Sequence, residues 1–402
     1  MKEKLAINGG LKIRKVPMPS RIAFGESEEK EMNKMILHYR NLSEDPKYSG
    51  LWEEKFCLAF NKFMGGGYSD AVASGTGAIY IAMKALEIPD NSDVILSPVT
   101  CSGAFSCITE QGHRPILVDS SENSYNTDLD QIKKRITKKT KLIQITHSAG
   151  EPVSDIEKIA KFAKSNGIYL LEDCSQAIGA KINNKYVGTF GDVAAFSTMY
   201  RKNLAANSSS GLVYTKKGKK FYRKILSYAD RGKILWNKKL DIRDPKHSLF
   251  PALNWNTDEF SCAIGLANIK RLKDTNARRN KFLSKLVKEI NKKSQVCYPY
   301  NYHQNFSPFY FPIFVKTEKI KVSKIKFAEA LAAEGIGLGE HYGCLVSTWP
   351  WAQKYLSDKF VAKNSIKARD RCFHLYLNEN YGQNELDDII NAIIKVENFY
   401  LR

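Results

Sequence analysis

Between residues 70 and 215, short apolar, β-branched runs alternate with stretches of helical periodicity, and that alternation narrows the fold more than any other feature of the chain. The runs predict strands over 71–74, 93–96, 116–119, 142–146, 168–172, 193–197 and 212–215. Amphipathic helices fall between several of them, for example over 77–87 and 154–166. In the second, Ile156, Ile159, Ala160 and Ala163 recur at helical spacing, and Gly167 ends the run. Strands that alternate with helices imply an α/β domain with a mainly parallel sheet.

At 402 residues the chain is long enough for a second unit. Residues 259–294 read as one or two long helices, 296–315 as strands and turns, and 323–334 and 385–399 again as helices. This predicts a smaller α+β domain, with the division at 1–255 and 256–402. Before residue 70, an extended arm leads into helices over 27–38 and 51–63.

Composition excludes several classes. No apolar run is long enough to cross a bilayer, and the first residues carry no secretory hydrophobic stretch, so no membrane association is expected. The eight cysteines include no C-x-x-C pair and the seven histidines no metal-ligand spacing. Free thiols in a reducing cytoplasm, and no metal site, are the expectation. The net charge of +20 admits a polyanionic partner, but the basic residues are dispersed and no nucleic-acid-binding motif accompanies them. A solvated basic surface, with no nucleic acid bound, is the expected meaning.

Three segments carry chemistry. Ser74-Gly75-Thr76 lies where a strand turns into a helix, and the unpaired amides of a helix start attract an anion. Ser74 and Thr76 would add hydroxyls, though such a turn is equally a plain helix N-cap. The strand 168–172 runs out into Glu172 and Asp173, and in open α/β sheets the ligand crevice lies at the carboxyl ends of strands. A carboxylate there can hold a protonated heterocyclic nitrogen; alternatively it caps a helix or faces solvent. The strand 193–197 ends at Ser197, and Lys202 follows five residues later on the same sheet edge. A lysine in a partly desolvated crevice loses proton affinity and becomes nucleophilic.

The ordered set of phosphate turn, acidic strand end and Ser-x4-Lys resembles the DegT/DnrJ/EryC1/StrS sugar aminotransferases, a branch of the fold-type I pyridoxal 5′-phosphate (PLP) enzymes. Further matches run from Leu5-Ala6-Ile7-Asn8-Gly9-Gly10 through Asp93–Pro98, Pro115–Asp119 and His147–Pro152 to Ala263-Ile264-Gly265, His341-Tyr342 and Phe373-His374-Leu375. The resemblance implies a seven-stranded, mainly parallel sheet with helices on both faces and a smaller C-terminal domain. It implies that Lys202 forms a Schiff base with PLP and later shuttles a proton, and that Asp173 pairs with the pyridine nitrogen. Gln176 would lie near the ring hydroxyl, while Ser74, Gly75, Thr76 and Ser197 would hold the phosphate. Asn254 would reach that phosphate from the second subunit of a homodimer with shared active sites. His341 and Tyr342 are candidates on the substrate side. The partners implied are an amino-acid donor, glutamate among relatives, and a keto-sugar (nucleotide-linked or phosphorylated) or cyclitol.

This chain departs from the pattern in three places. Cys101 stands where an aromatic residue usually stacks on the cofactor. Ala206-Asn207-Ser208-Ser209-Ser210-Gly211 replaces a glycine-rich acidic segment, and Asn256 stands where arginine is common. Two other readings compete. A PLP-dependent sugar dehydratase would carry histidine in place of Lys202, and a non-catalytic polyanion-binding protein on the same fold would need no cofactor.

Overall fold

The seven predicted strands join one sheet. A computed structural model describes residues 3–21, 23–237 and 239–402. The strands of the large sheet are β1 (Tyr68–Val72), β2 (Asp93–Leu96), β3 (Arg114–Leu117), β4 (Thr140–Thr146) and β5 (Tyr169–Asp173). After a two-stranded hairpin, β6 (Lys181–Ile182) and β7 (Lys185–Tyr186), come β8 (Val193–Ser197) and β9 (Gly211–Thr215). Their order is β1-β9-β8-β5-β4-β2-β3, and every pairing is parallel except those of β9, which runs against both its neighbours.

Alternate residues of one strand enter different cores, as a sheet covered on both faces requires. The helices α1 (Glu26–Leu42), α2 (Leu51–Phe63) and α3 (Gly75–Leu86) follow in the chain, and Val193 and Ala195 of β8 pack with Ile79 and Ala82 of α3 on one face. Ala194 and Phe196 pack with Phe56 and Phe60 of α2 on the other. Leu170 of β5 meets Ile156 and Ile159 of the Ile156–Ser165 helix, whereas Leu171 faces α3.

The long helical pattern is one continuous helix, Glu259–Lys293, of 35 residues. Asp258 caps it, its carboxylate accepting from Ser261 N at 2.7 Å. The first half packs beside Phe56, where Gly265 allows close approach: an added Cβ would sit 2.6 Å from the Phe56 ring. Its second half contributes Leu283, Leu286 and Ile290 to the core of a smaller, antiparallel, four-stranded sheet. That sheet contains β10 (Cys297–Pro299), β11 (Tyr310–Val315), β12 (Leu338–Gly339) and β13 (Cys372–Tyr376), backed by helices at Lys324–Ala333 and Gln383–Tyr400. Among the described residues, no helix is long and apolar enough to cross a membrane. All eight cysteines are free thiols.

Candidate active site

Topology brings the three chemistry-bearing segments to one edge. β5 and β8 are parallel neighbours that end at Asp173 and Ser197. Gly211, the first residue of the reversed β9, lies between the ends of β1 and β8, opposite Val72 and Ser197. Close approach makes it a glycine, since a Cβ would lie 2.5 Å from Ser74 O. Gly75 opens α3 against β8, and a Cβ there would meet Ser197 Cβ at 2.6 Å.

Ser74 is the N-cap of α3, its Oγ accepting from Gly77 N at 3.0 Å. The amides of Gly75 and Thr76 begin the helix, where no intrahelical acceptor exists. Thr76 is exposed and closely approached by Gly103 in the Ser102–Glu110 helix, which begins just after Cys101. Beyond Ser197, the buried hydroxyls of Thr198 and Ser210 find no hydrogen-bond partner among the described residues. Their backbones are paired, Thr198 N donating to Ser210 O at 2.9 Å.

On the β5 side, Asp173 is buried, and its Oδ1 accepts from Ser175 N at 3.0 Å. Ser175 Oγ in turn accepts from Ser197 N, also at 3.0 Å. Gln176 Oε1 accepts from Ala149 N at 2.8 Å, while its amide reaches Tyr342 OH at 3.4 Å. Tyr342 comes from the chain that leads away from the small sheet, and its ring packs on Tyr125, Tyr310 and His374.

Glu172 serves architecture. Fully buried, it accepts from the backbone amides of Gly188, Phe190 and Gly191 and from His147 Nε2 at 3.1 Å. His147 Nδ1 accepts from Val153 N, so its proton lies on Nε2, facing the carboxylate. Cys174 Sγ, His147 and Glu172 lie within 4.8 Å of one another, a spacing that a metal could use, but these hydrogen bonds already occupy the histidine and the acid.

Lys202 sits in a turn after β8, its N–H bonded to Met199 O at 2.8 Å. It is half-buried, and its Nζ lies 4.4 Å from the centroid of the Phe309 ring. Burial lowers its proton affinity below that of an ordinary lysine; the Asp173 carboxylate, and to a lesser degree Cys101 and Cys344, pull in the opposite direction.

Asp173, Gln176, Ser197 and Lys202 thus lie at or just after the carboxyl ends of β5 and β8. Ser74, Gly75 and Thr76 stand beside Ser197, Cys101 precedes the helix that meets Thr76, and Tyr342 is bonded to Gln176. The other two predicted site residues are Asn254 and His341. Asn254 is exposed, and its Oδ1 accepts from the backbone and side-chain nitrogens of Asn256. His341 is exposed, with Lys324 Nζ 3.3 Å from its Nδ1. Sequence reasoning missed Phe309, Asn203 and Arg279, which surround the Lys202 turn. Asn203 directly follows the lysine and could have been singled out; nothing local marks the other two.

Residues 28–394 match the model of the DegT/DnrJ/EryC1/StrS aminotransferase family. The spore coat polysaccharide biosynthesis protein SpsC of Bacillus subtilis is 26% identical over 88% of this chain and 90% of its own length. The GDP-perosamine synthase of Escherichia coli O157:H7 is 32% identical over 57% of this chain and 60% of that protein. Among solved structures, PseC of Helicobacter pylori, an aminotransferase involved in the biosynthesis of pseudoaminic acid, superposes with a TM-score of 0.84 at 19% identity. That match covers 96% of this chain and 100% of PseC, and it establishes the shared fold.

Proposed function

The chain belongs to the DegT/DnrJ/EryC1/StrS aminotransferase family, and from that premise we propose that it uses PLP to move an amino group from an amino acid to a keto-sugar in amino-sugar biosynthesis. The observation that carries this reading is the Lys202 amine, 4.4 Å from the Phe309 ring and in the field of the buried Asp173 carboxylate, which ends β5 at the carboxyl edge of the sheet. Support for a sugar acceptor comes from GDP-perosamine synthase and from the polysaccharide role named for SpsC. A nucleotide-linked or phosphorylated keto-sugar, or a cyclitol, is the acceptor class, and glutamate the expected donor.

The donor set fits the cofactor. The α3 amides at Gly75 and Thr76, with Ser74, Ser197 and the two unpartnered hydroxyls of Thr198 and Ser210, suit a dianionic phosphate. Asp173 suits a protonated pyridine nitrogen, and Gln176 the adjacent ring hydroxyl. Cys101 would offer a cofactor ring less stacking area than the aromatic residue usual at this place. Bound there, the cofactor supplies an electron sink for the carbanion that amino transfer requires. Lys202 Nζ would hold the cofactor covalently, and the same amine is the group placed to move the proton at the donor carbon. Tyr342, and from further out His341, face the substrate side. Asn254, exposed on its own subunit, is assigned to the phosphate of a second copy in a homodimer. The reading includes a division of the chain at 255/256 and residence in a reducing cytoplasm, where eight thiols stay free.

Lys202 also separates the alternatives. A dehydratase of this fold needs histidine in its place, and a polyanion-binding protein has no use for a partly desolvated lysine amine in the field of Asp173. We expect the purified chain to take up PLP with a violet absorption band, which borohydride bleaches as it fixes the cofactor to the Lys202 peptide. Glutamate should discharge the band, and a keto-sugar acceptor should restore it. Retention of the band in Lys202→Ala, or no response to any amino acid, would sink the proposal.

A further inference from the structure

A buried polar knot joins the turn that carries Lys202 to the ring that covers its amine. Asn203 is 5% exposed and Arg279, from the long helix, 1%. Asn203 Oδ1 accepts from Arg279 Nη1 at 2.7 Å. Its amide nitrogen donates to Asn276 Oδ1 (2.9 Å), Ser307 Oγ (2.8 Å) and Pro308 O (3.2 Å). Arg279 Nη1 also donates to Pro308 O, at 3.0 Å, and Nη2 pairs with Glu379 at 2.8 Å. Asn203 is the next residue after Lys202, and Pro308 the residue before Phe309. Two adjacent pairs of residues are thus clamped to each other at Asn203–Pro308, with the amine and the ring on their far sides, 4.4 Å apart.

We infer that Asn203 is a positioning residue, and that with Arg279 it holds the Phe309 ring over the Lys202 amine so that water is kept from it. An asparagine suits the place because one planar amide must accept from a guanidinium on one side and donate to carbonyl and hydroxyl oxygens on the other. All of these groups are buried, so a residue lacking either function leaves partners unsatisfied and releases the 307–309 segment. The ring acts on the amine in two opposed ways. It excludes water, which disfavours the ammonium, and its face attracts the cation, which favours it.

The inference rests on Lys202 being the reacting amine, and its test needs no cofactor. In the full-length chain before PLP is added, acylation of Lys202 is followed across pH by mass spectrometry of its peptide. The midpoint for the unaltered chain should lie below that of ordinary lysines. Phe309→Ala and Asn203→Ala should each raise it by about one pH unit, as water reaches the amine. The double variant should go no higher than Phe309→Ala alone, because Asn203 acts through the ring. Phe309→Leu, which keeps water out but removes the aromatic face, should lower the midpoint. A purely structural Asn203 would shift the melting temperature and leave the midpoint where it was; that result, or additive effects in the double variant, overturns the inference. Should Asn203→Ala not fold, Asn203→Ser, too short to reach Pro308, takes its place, and an unchanged midpoint there is equally fatal. Midpoints that move as stated in a chain that never bonds PLP would leave the positioning role standing and remove the proposed function; the reverse pattern would do the opposite.

Discussion

At the residue scale, burial decides which side chains can hold a proton. His374, on β13, is 3% exposed and shares a 2.7 Å hydrogen bond with Tyr125 OH behind Tyr342. Burial first, then Lys324 and His341, push its pKa down to about 3 from the usual 6.5. Between those values the unfolded chain binds a proton that the folded chain refuses, so folding stability rises with pH across the window and is lost as the solution is acidified. From about pH 6.5 to about pH 4.5 the loss from this one group should be about 2–3 kcal/mol. Urea titrations of the native chain and of His374→Gln at both pH values isolate it, and an equally deep acid limb in the variant would refute the assignment. Local pattern reveals at this scale that Asp173 and Ser197 each stand at a strand end, and that Lys202 follows five residues beyond Ser197. Arg279 and Phe309 were not legible, because they reach the Lys202 turn from positions 77 and 107 residues further along the chain. No periodicity or turn chemistry encodes a contact of that range.

At the scale of elements, the seven apolar runs were readable because a buried strand needs a continuous apolar stretch, and each lies within three residues of its predicted start. The reversal of β9 was not readable. Its residues would suit either direction, and only the long connection from Ser197 to Gly211, which carries Lys202, turns it round. Element geometry also splits the two meanings of Ser74. As the cap of α3 it should contribute about 1 kcal/mol, lost in Ser74→Ala. Aspartate caps as well as serine but places a negative charge at the helix start. Ser74→Asp should therefore melt close to the native chain while its affinity for PLP falls at least about tenfold through repulsion of the phosphate, or about 1.4 kcal/mol. Unimpaired cofactor binding by Ser74→Asp, measured by fluorescence titration, would place the anion elsewhere.

At the scale of the whole molecule, the N-terminal arm ties the small sheet's helices to the Lys202 turn. Glu334, fully buried, accepts from Ala6 N (2.8 Å), Ile13 N (3.1 Å) and Lys395 Nζ (3.0 Å), and Lys395 also donates to Leu11 O. Arg14 pairs with Glu385 at 3.0 Å and Asp388 at 2.7 Å. Asn378 and Asn380 donate to Pro19 O and Ser20 O, and Arg21 then donates to Tyr200 O at 3.0 Å and to Lys202 O at 2.5 Å. The arm is held largely by buried charges, although Lys395 also pairs with exposed Glu3 at 3.3 Å, and this dictates how it should fail. Removing one partner of a buried pair leaves the other ion unsolvated, at about 3–5 kcal/mol, whereas removing both charges can be nearly neutral. Glu334→Gln should thus destabilise the chain strongly and speed proteolysis of the arm, because the ammonium of Lys395 (6% exposed) loses its buried counter-ion. Adding Lys395→Met should recover most of the loss, since glutamine still offers an oxygen to one arm amide and no buried cation remains. Denaturant melts of the two single variants and the double variant decide the matter. A double variant that loses the sum of its parts would mean that the arm is held by shape and hydrogen bonds, and not by the pairing of two buried charges.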